Sequence, residues 1–435
     1  MDNPTSLAEA ILGLDGFRIL GVHETAEELI INIETKSTVV GCPSCGVRAQ
    51  AKDRMRVEIR DLPCFGRPAR LVWMKRRWRC SDGNCEAKTW TETTEHVPPR
   101  GLLTNRCGIE ATRQVGELAR PVSGVAKELG VCWWTVMDAV KFHGTPLTDD
   151  PQRVGKVTAL GIDETSFLKA TKKHPTLYAT GLVDLDHRIM IDMVEGNSAA
   201  SLRSWCKNAD PGWLGEIAVV ATDLAESYRA GLSPYLDHAI RVADPFHVTQ
   251  VANRALDKVR RRVQRETLGH RGRKSDPLFR IRKLLLSGAE RLNEPGNERL
   301  LLGLRIGDPN NEVHGAWLAK ESVRDIYLTD DPIQAEVLLD KAITGCLEDK
   351  VPEIRSLGRT LKRWRNEILN HHLTGASNGP TEGLNLCVKK VKRCGHGFKS
   401  FENYRLRVLL YTGGVSWPKR PSPPRIRTRN PHLNA

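Results

Sequence analysis

The sequence predicts a multidomain α+β protein in which a short-stranded module, a helical segment and a mixed-sheet domain with an all-helical insertion follow one another. Three observations predict it. The chain has 435 residues, more than one core normally spans. Its 40% hydrophobic content supports real cores and excludes global disorder. The apolar period also changes along the chain, from alternation near the N-terminus, to helical spacing from Leu102, to strands mixed with helices after Lys156. The net charge of +14 favours a polyanionic partner, nucleic acid first. The longest apolar runs, such as Ile217 to Ala221, are too short to span a bilayer, and Met1-Asp2-Asn3-Pro4 lacks the start of a signal peptide. Eleven cysteines, an odd number, point to a reducing cytosol rather than a disulfide scaffold.

Residues 1–100 read as short strands at Phe17 to Leu20, Glu28 to Glu34, Arg56 to Arg60 and Leu71 to Arg79, separated by Gly and Pro. Cys42-Pro-Ser-Cys45 and Cys80-Ser-Asp-Gly-Asn-Cys85 form two turns, each with Gly in or beside it. Such turns let backbone N–H groups approach thiolates, and four thiolates make a closed tetrahedral site for structural Zn²⁺. The 35 positions from Cys45 to Cys80 exceed the usual spacing of about 15–20, so a β-hairpin must fill the gap. The other cysteines (Cys64, Cys107, Cys132, Cys206, Cys346, Cys387 and Cys394) read as core thiols. Trp73 to Arg79 interleaves tryptophan with basic residues. That suits either phosphate contact or a half-buried strand with a solvated face.

Residues 101–148 are helical. Val122 to Leu129 ends at Gly130, and a second helix starts near Cys132. Ala126, Gly130 and Val136 have helix-turn-helix spacing. The second helix would enter the DNA major groove with Trp133, Trp134 and Thr135 leading. A plain helical hairpin has the same pattern. Pro146 to Gly155 reads as a linker.

From Lys156 the order is three strands (Lys156 to Ile162, Leu177 to Asp184, Arg188 to Val194), a Ser-capped helix (Ser198 to Asn208) and a strand (Ile217 to Thr222). A helix (Ala225 to Leu236), a strand (Ala239 to Ala243) and a long helix (Pro245 to Arg265) follow. Hairpins first and parallel crossovers after is the order of an RNase H-like sheet, although a doubly wound sheet with a hairpin edge reads the same. Residues from about 270 to 375 read as mostly helical. Asp163 closes the first strand, where a carboxylate is costly unless it holds a cation. Asp223 repeats the arrangement 60 residues on, on a strand expected beside the first. Glu382, in the first turn of a helix opened by Gly379-Pro380, supplies a third acid. Three carboxylates suit two Mg²⁺ ions, with Mn²⁺ as the alternative, and phosphodiester chemistry. Singly, each is also an ordinary cap or helix-dipole residue. Glu164, Asp184, Asp186 and Glu226 are expected bystanders.

Carried by these residues, and most of all by SNGPTEGLNLCVKKVKRCGHGFKSFENYRLR from Ser377 to Arg407, the chain resembles the DDE transposases of bacterial insertion sequences, the ISL-three family in particular. The likeness runs from about residue 40 to 412. It implies that Asp163 (in GIDETSF), Asp223 (in ATDLAESY) and Glu382 are the catalytic, Mg²⁺-binding acids. Asp244-Pro-Phe-His247 matches a D-x-x-H signature, making Asp244 and His247 accessory candidates. A core histidine capped by Asp244 is the plainer reading. The resemblance also implies cleavage and strand transfer at terminal inverted repeats, double-stranded DNA (ends and target) as partner, a homo-oligomer on DNA, and a cytoplasmic, nucleoid-associated protein. Two rivals remain: a DNA-binding regulator with an inactive catalytic domain, and a structure-selective nuclease.

Between Arg254 and Lys283 there are twelve Lys or Arg against three acids. Beside a phosphodiester site, Arg260, Arg261 and Arg262, and Lys389, Lys390, Lys392 and Arg393 after Glu382, are expected to contact DNA. Lys419, Arg420, Arg425, Arg427 and Arg429 lie in a basic, Pro-rich tail, residues 418–435, expected to be disordered.

Overall fold

The computed structural model describes residues 9–36, 39–172 and 174–418, so the basic residues from Lys419 on lie outside the described residues. The chain divides into two compact units. One holds the chain up to Arg153 with Lys390–Gly397 and the chain from Leu406 on, and the other holds Val154–Lys389 and Phe398–Arg405.

The first unit opens with strands β1 (Phe17–Glu24), β2 (Leu29–Thr35), β3 (Gln50–Cys64), β4 (Arg67–Arg79) and β5 (Thr89–Thr91). They form a sheet in the order β1-β2-β4-β3, with β5 on β4. The expected hairpin between the cysteine pairs is β3–β4. It is longer than the alternation suggested, because its turn, Phe65-Gly66, takes positive φ at both residues and matches the strand twist. Trp73 and Trp78 are buried, and Arg76 is buried against Glu34, so this strand is a half-buried one and not an aromatic surface for phosphates. Helices Asn105–Gly116, Val122–Leu129 and Trp133–Thr148 follow. Thr104 caps the first by accepting from the Cys107 N–H, and Gly130 ends the second in the left-handed region. The third continues through Pro146 to Thr148, shortening the expected linker. Their shared core includes Cys107, Val115, Val125, Val136, Met137 and Val140. Asp61 on β3, fully buried, accepts from Thr104 Oγ1 (2.6 Å) and Arg106 Nε (2.9 Å), fixing the sheet to the first helix.

The second unit is built on a sheet in the order β10-β9-β6-β7-β8, with β6 at Ala159–Leu168, β7 at Leu177–Asp184, β8 at Ile189–Glu195, β9 at Val219–Thr222 and β10 at Ile240–Ala243. β6, β7 and β8 form an antiparallel meander. β9 runs parallel to β6, and β10 parallel to β9. β6 does not stop at Asp163 as the sequence suggested. It continues to Leu168 because β7 keeps pairing with it after β9 has left. Leu160, Ile162, Leu182 and Val220 fill the core. After β10, helices from Pro245 to Thr374 bury Val248, Leu256, Leu339, Leu357 and Ile368 around a second core, and Gly379–Cys394 then returns to the sheet.

Candidate metal centres and active site

The Cys42 and Cys85 sulfurs lie 3.7 Å apart, the Cys45 and Cys80 sulfurs 3.5 Å apart, and all four within 4.8 Å of one another. A zinc ion with thiolates at about 2.3 Å has sulfur–sulfur edges of about 3.8 Å, so this donor set fits structural Zn²⁺. Backbone N–H groups of Cys45 and Ser44 bring the Cys42 thiol down to about 7, whereas burial pushes the Cys80 thiol up to about 12, so in the metal-free cluster the thiolate is favoured at Cys42 and disfavoured at Cys80. Of the remaining cysteines, Cys107, Cys206 and Cys346 are buried as expected. Cys64, Cys387 and Cys394 are half-buried. Cys132 is exposed, because it precedes the third helix as its cap residue instead of sitting on an apolar face.

The acidic site forms where parallel pairing ends. The last rung between β6 and β9 is Ile162↔Thr222, and the next residues are Asp163 and Asp223. Side by side at the carboxyl edge of adjacent parallel strands, they face the crevice where open sheets place their sites. Asp163 accepts from the Glu164 N–H (2.7 Å) and from Asn385 Nδ2 (2.6 Å). Burial, then the neighbouring Asp223, pushes its carboxyl up to about 6.

Glu382 arrives on the helix Gly379–Cys394, whose start rests on β6. Asn378 donates its side-chain N–H to the Ile162 carbonyl (3.1 Å) and its backbone N–H to Asp244 Oδ1 (2.8 Å). Gly161 permits this approach, since a Cβ there would collide with Thr381 and Asn378. The expected three-acid cluster is therefore divided. Asp163 groups with Asp223 and His247, whereas Glu382 groups with Asp244 and His247. His247 joins the two groups. Its Nδ1 lies 3.2 Å from Asp244 Oδ2 and 2.8 Å from Asp223 Oδ1. The ring is capped by Asp244 as the plainer reading expected, and it also reaches Asp223, because one helical turn from the Asp244 cap carries it to the sheet edge. Burial lowers the His247 imidazole, but contacts with Asp223 and Asp244 outweigh this and raise it to about 10. Burial, then Asp244, raises Glu382, a net shift that the positive ring only moderates. The ring's Nδ1 is shared between Asp244 and Asp223, and the buried Asp223 Oδ1 has this ion-pair contact but no well-aligned hydrogen bond. Two adjacent carboxylates at the end of the parallel pairing, one of them raised by burial and by the other, fit a hard divalent cation.

A cavity of about 760 Å³ opens over these groups. Glu164, expected to be a bystander, lines it and accepts from Asn197 (2.6 Å). Asn378 and Asn385 were missed as well; their only sequence signal is the Ser377-Asn378-Gly379-Pro380 turn and a three-residue step from Glu382 to Asn385. The other bystanders stay local. Asp184 binds His187 (2.7 Å), Asp186 binds Thr158 (2.6 Å), and Glu226 neighbours Arg229.

The basic candidates separate. Lys389 lines the cavity. Lys390 turns to the Tyr411 hydroxyl (2.6 Å), Lys392 is half-buried, and Arg393 is exposed one turn beyond Lys389. Arg260 is buried against Asp257 and Gln264, and Arg262 is held by Glu353 (2.8 Å), Glu312 (2.9 Å) and Glu266 (3.1 Å). These two are structural, because the long helix packs that face inside the helical insertion. Arg261 is exposed but paired with Asp257 (2.7 Å). Trp133 and Trp134 are exposed, and Thr135 meets the Cys132 sulfur (3.1 Å).

A four-thiolate cluster fit for structural zinc in one unit and an acidic crevice at a mixed-sheet edge in the other mark a multidomain α+β protein. Comparison with known proteins says which one. Residues 160–408 match the ISL-three family model described as transposase, and residues 38–85 match that of the zinc-finger of transposase IS204/IS1001/IS1096/IS1165. The chain belongs to the ISL-three transposase family. It is 23% identical over 417 residues to the transposase for insertion sequence element IS1001 of Bordetella parapertussis, covering 92% of this chain and 97% of that one. It is 25% identical over 315 residues to the transposase for insertion sequence element IS1557 of Mycobacterium tuberculosis, covering 67% and 68%. A Lactococcus lactis protein named ATP-dependent protease is 40% identical over 121 residues, only 27% of this chain. The present chain has no Gly-x4-Gly-Lys-Ser/Thr phosphate loop, its one Gly-Lys step, Gly155-Lys156, being followed by Val157. DNA binding, metal binding and a role in transposition follow from the family. Among the described residues no helix is long and apolar enough to cross a membrane.

Proposed function

We propose that the protein binds the terminal inverted repeats of a bacterial insertion sequence and catalyses metal-dependent strand cleavage and strand transfer through Asp163, Asp223 and Glu382. The observation that carries this reading is the placement of Asp163 and Asp223 immediately beyond the last β6–β9 rung, with Glu382 sharing their neighbour His247. Strand order β10-β9-β6-β7-β8, with an antiparallel meander leading, supports an RNase H-like domain at 156–268 and 375–412 that is interrupted by the helices of 269–374. Residues 1–100 form the zinc module and 101–148 the helix-turn-helix, with Trp133, Trp134 and Thr135 at its DNA face.

Asp163, Asp223 and Glu382 would hold the cations. Bound there, Mg²⁺ or Mn²⁺ supplies charge neutralisation of the phosphodiester and activation of water or a 3′-hydroxyl. The protein's own groups do the positioning. Asn385 and the Glu164 N–H fix the Asp163 carboxylate. His247 holds a proton at Nδ1 between Asp223 and Asp244. Lys389 and Arg254, both lining the cavity, meet phosphates flanking the scissile bond. DNA ends and target are the partners, the working form is a homo-oligomer, and the compartment is the cytoplasm at the nucleoid.

The test uses a plasmid carrying the DNA that flanks the gene. Asp163→Asn, Asp223→Asn and Glu382→Gln should each abolish nicking and joining while end binding stays intact. Full activity in one variant removes that residue from the site. End binding by the unsubstituted protein with no divalent-dependent nicking indicates a regulator. Nicking without end specificity or joining indicates a nuclease.

A further inference from the structure

A surface helix ordinarily turns its large apolar residues inward and its polar ones to water. The helix Glu294–Gly307, in the helical insertion, departs from this. Its inner face is Leu300, Gly303 and Leu304, and its outer side leaves Leu301, Leu302 and Ile306 exposed at 58%, 57% and 62%. The glycines explain the inner face. A Cβ at Gly303 would lie 2.6 Å from the Ile281 side chain, and one at Gly307 2.7 Å from that of Leu278. Small residues therefore let the helix lie flush on the segment beneath it, and the bulk sits outside. Large apolar side chains grouped in water mark a contact surface.

The charges beside them say what that surface meets. At about 100° per residue, Glu298, Leu301, Leu302 and Arg305 fall within one arc of about 100°, so the exposed face reads acid, two leucines, base along its axis. Glu298 and Arg305 stand two turns apart, about 10 Å, too far to pair with each other. Among the described residues neither side chain has an ion-pair or hydrogen-bond partner. Positions 298 and 305 share their midpoint with 301 and 302. A second copy of the helix, laid antiparallel about a two-fold axis through that midpoint, sets Leu301 against the second copy's Leu302 and Glu298 against its Arg305, each contact made twice. A parallel arrangement would set like charges opposite, and a sugar–phosphate backbone would meet leucines and an acid.

We infer that the outer face of Glu294–Gly307 is a two-fold interface with a second copy of this chain, Leu301 against Leu302 and Glu298 against Arg305. The inference rests on the proposed function in one respect, the homo-oligomer, and names the surface that forms it. Permanent dimers bury about 800 Å² per partner, more than three apolar side chains and two charges supply. The contact is therefore weak and reversible, and two copies held on one DNA would close it by proximity.

The experiment uses the full-length protein without DNA, in sedimentation equilibrium from about 1 to 200 µM at low salt, where exposed charges are least screened. The parent should form a reversible dimer with a dissociation constant on the order of 10 µM. Glu298→Arg and Arg305→Glu each set like charges opposite twice, and each should weaken the dimer about tenfold. An equal mixture of the two variants should regain the parental affinity as a heterodimer, because each supplies the charge the other has lost. Misfolding of either variant could not produce that recovery. Leu302→Asp should abolish the dimer and leave urea unfolding unchanged, since the side chain is exposed in the monomer. A parent that stays monomeric at 200 µM overturns the interface. So does a dimer that survives Leu302→Asp, a pair of charge variants as tight as the parent, or a mixture no tighter than its components. All of these leave the proposed catalysis standing, and failure to cut DNA leaves the interface standing.

Discussion

Asp163→Asn should make the metal-free protein more stable while removing its response to divalent cations. Burial beside Asp223 lifts the Asp163 carboxyl from 3.8 to about 6. An acid whose folded-state value lies above its unfolded value opposes folding at pH above both, and costs nothing at pH below both, where it is protonated in either state. The full shift corresponds to about 3 kcal/mol. Solvent screening at this half-buried position reduces it to about 2 kcal/mol. Asparagine removes the charge and keeps the shape. Its Oδ1 accepts from the Glu164 N–H, and a flip of the Asn385 amide, whose Oδ1 has no partner, satisfies the new Nδ2. The expected result is a gain of about 2 kcal/mol in urea unfolding at pH 8 with chelator present, shrinking to nothing as pH falls from 6 to 4. Added Mg²⁺ at about a hundred times its dissociation constant should stabilise the unsubstituted protein by about 2.7 kcal/mol and the variant far less. A variant that is less stable than the parent in chelator at pH 8, or that gains as much from Mg²⁺, would refute the view of Asp163 as a strained cation ligand.

Further outcomes follow from the same geometry. Divalent-ion affinity, measured by calorimetry, should be flat from pH 8 to about 6.5 and fall about tenfold per unit below 6, because Asp163 must release its proton to bind. Cys80→Ser should lower the zinc content seen by elemental analysis, loosen the N-terminal module in circular dichroism and weaken end binding; purified parent protein free of zinc would contradict this. Arg262→Ala should cost about 1–3 kcal/mol of stability with DNA affinity unchanged, since its partners are Glu353, Glu312 and Glu266. Lys389→Ala should leave stability alone and reduce the salt slope of DNA binding by about one.

Local chemistry was legible in the sequence wherever a residue's role depends on its near neighbours. The two cysteine turns, the Gly130 break between helices, the Ser198 and Asp244 caps and the meander-then-crossover order all follow from short-range backbone rules. Charge was read poorly. Arg260, Arg261 and Arg262 are three consecutive arginines in the sequence, but a helix turns them to different sides, and acids as distant as Glu353 take Arg262. The end of β6 was misplaced because apolar alternation cannot tell which of two neighbouring strands stops first.

By itself, then, the sequence determined the element types, the thiolate ligand set and the three acids worth examining, because propensities, caps and metal-ligand spacing act over a few residues. Only the tertiary structure decided that Asp163 and Asp223 stand beyond one shared rung and that Gly161 admits the helix of Glu382. It also set His247 between two carboxylate groups. Those placements depend on which surfaces pack across long stretches of intervening chain, 60 residues from Asp163 to Asp223 and 221 from Gly161 to Glu382, and no local period records that.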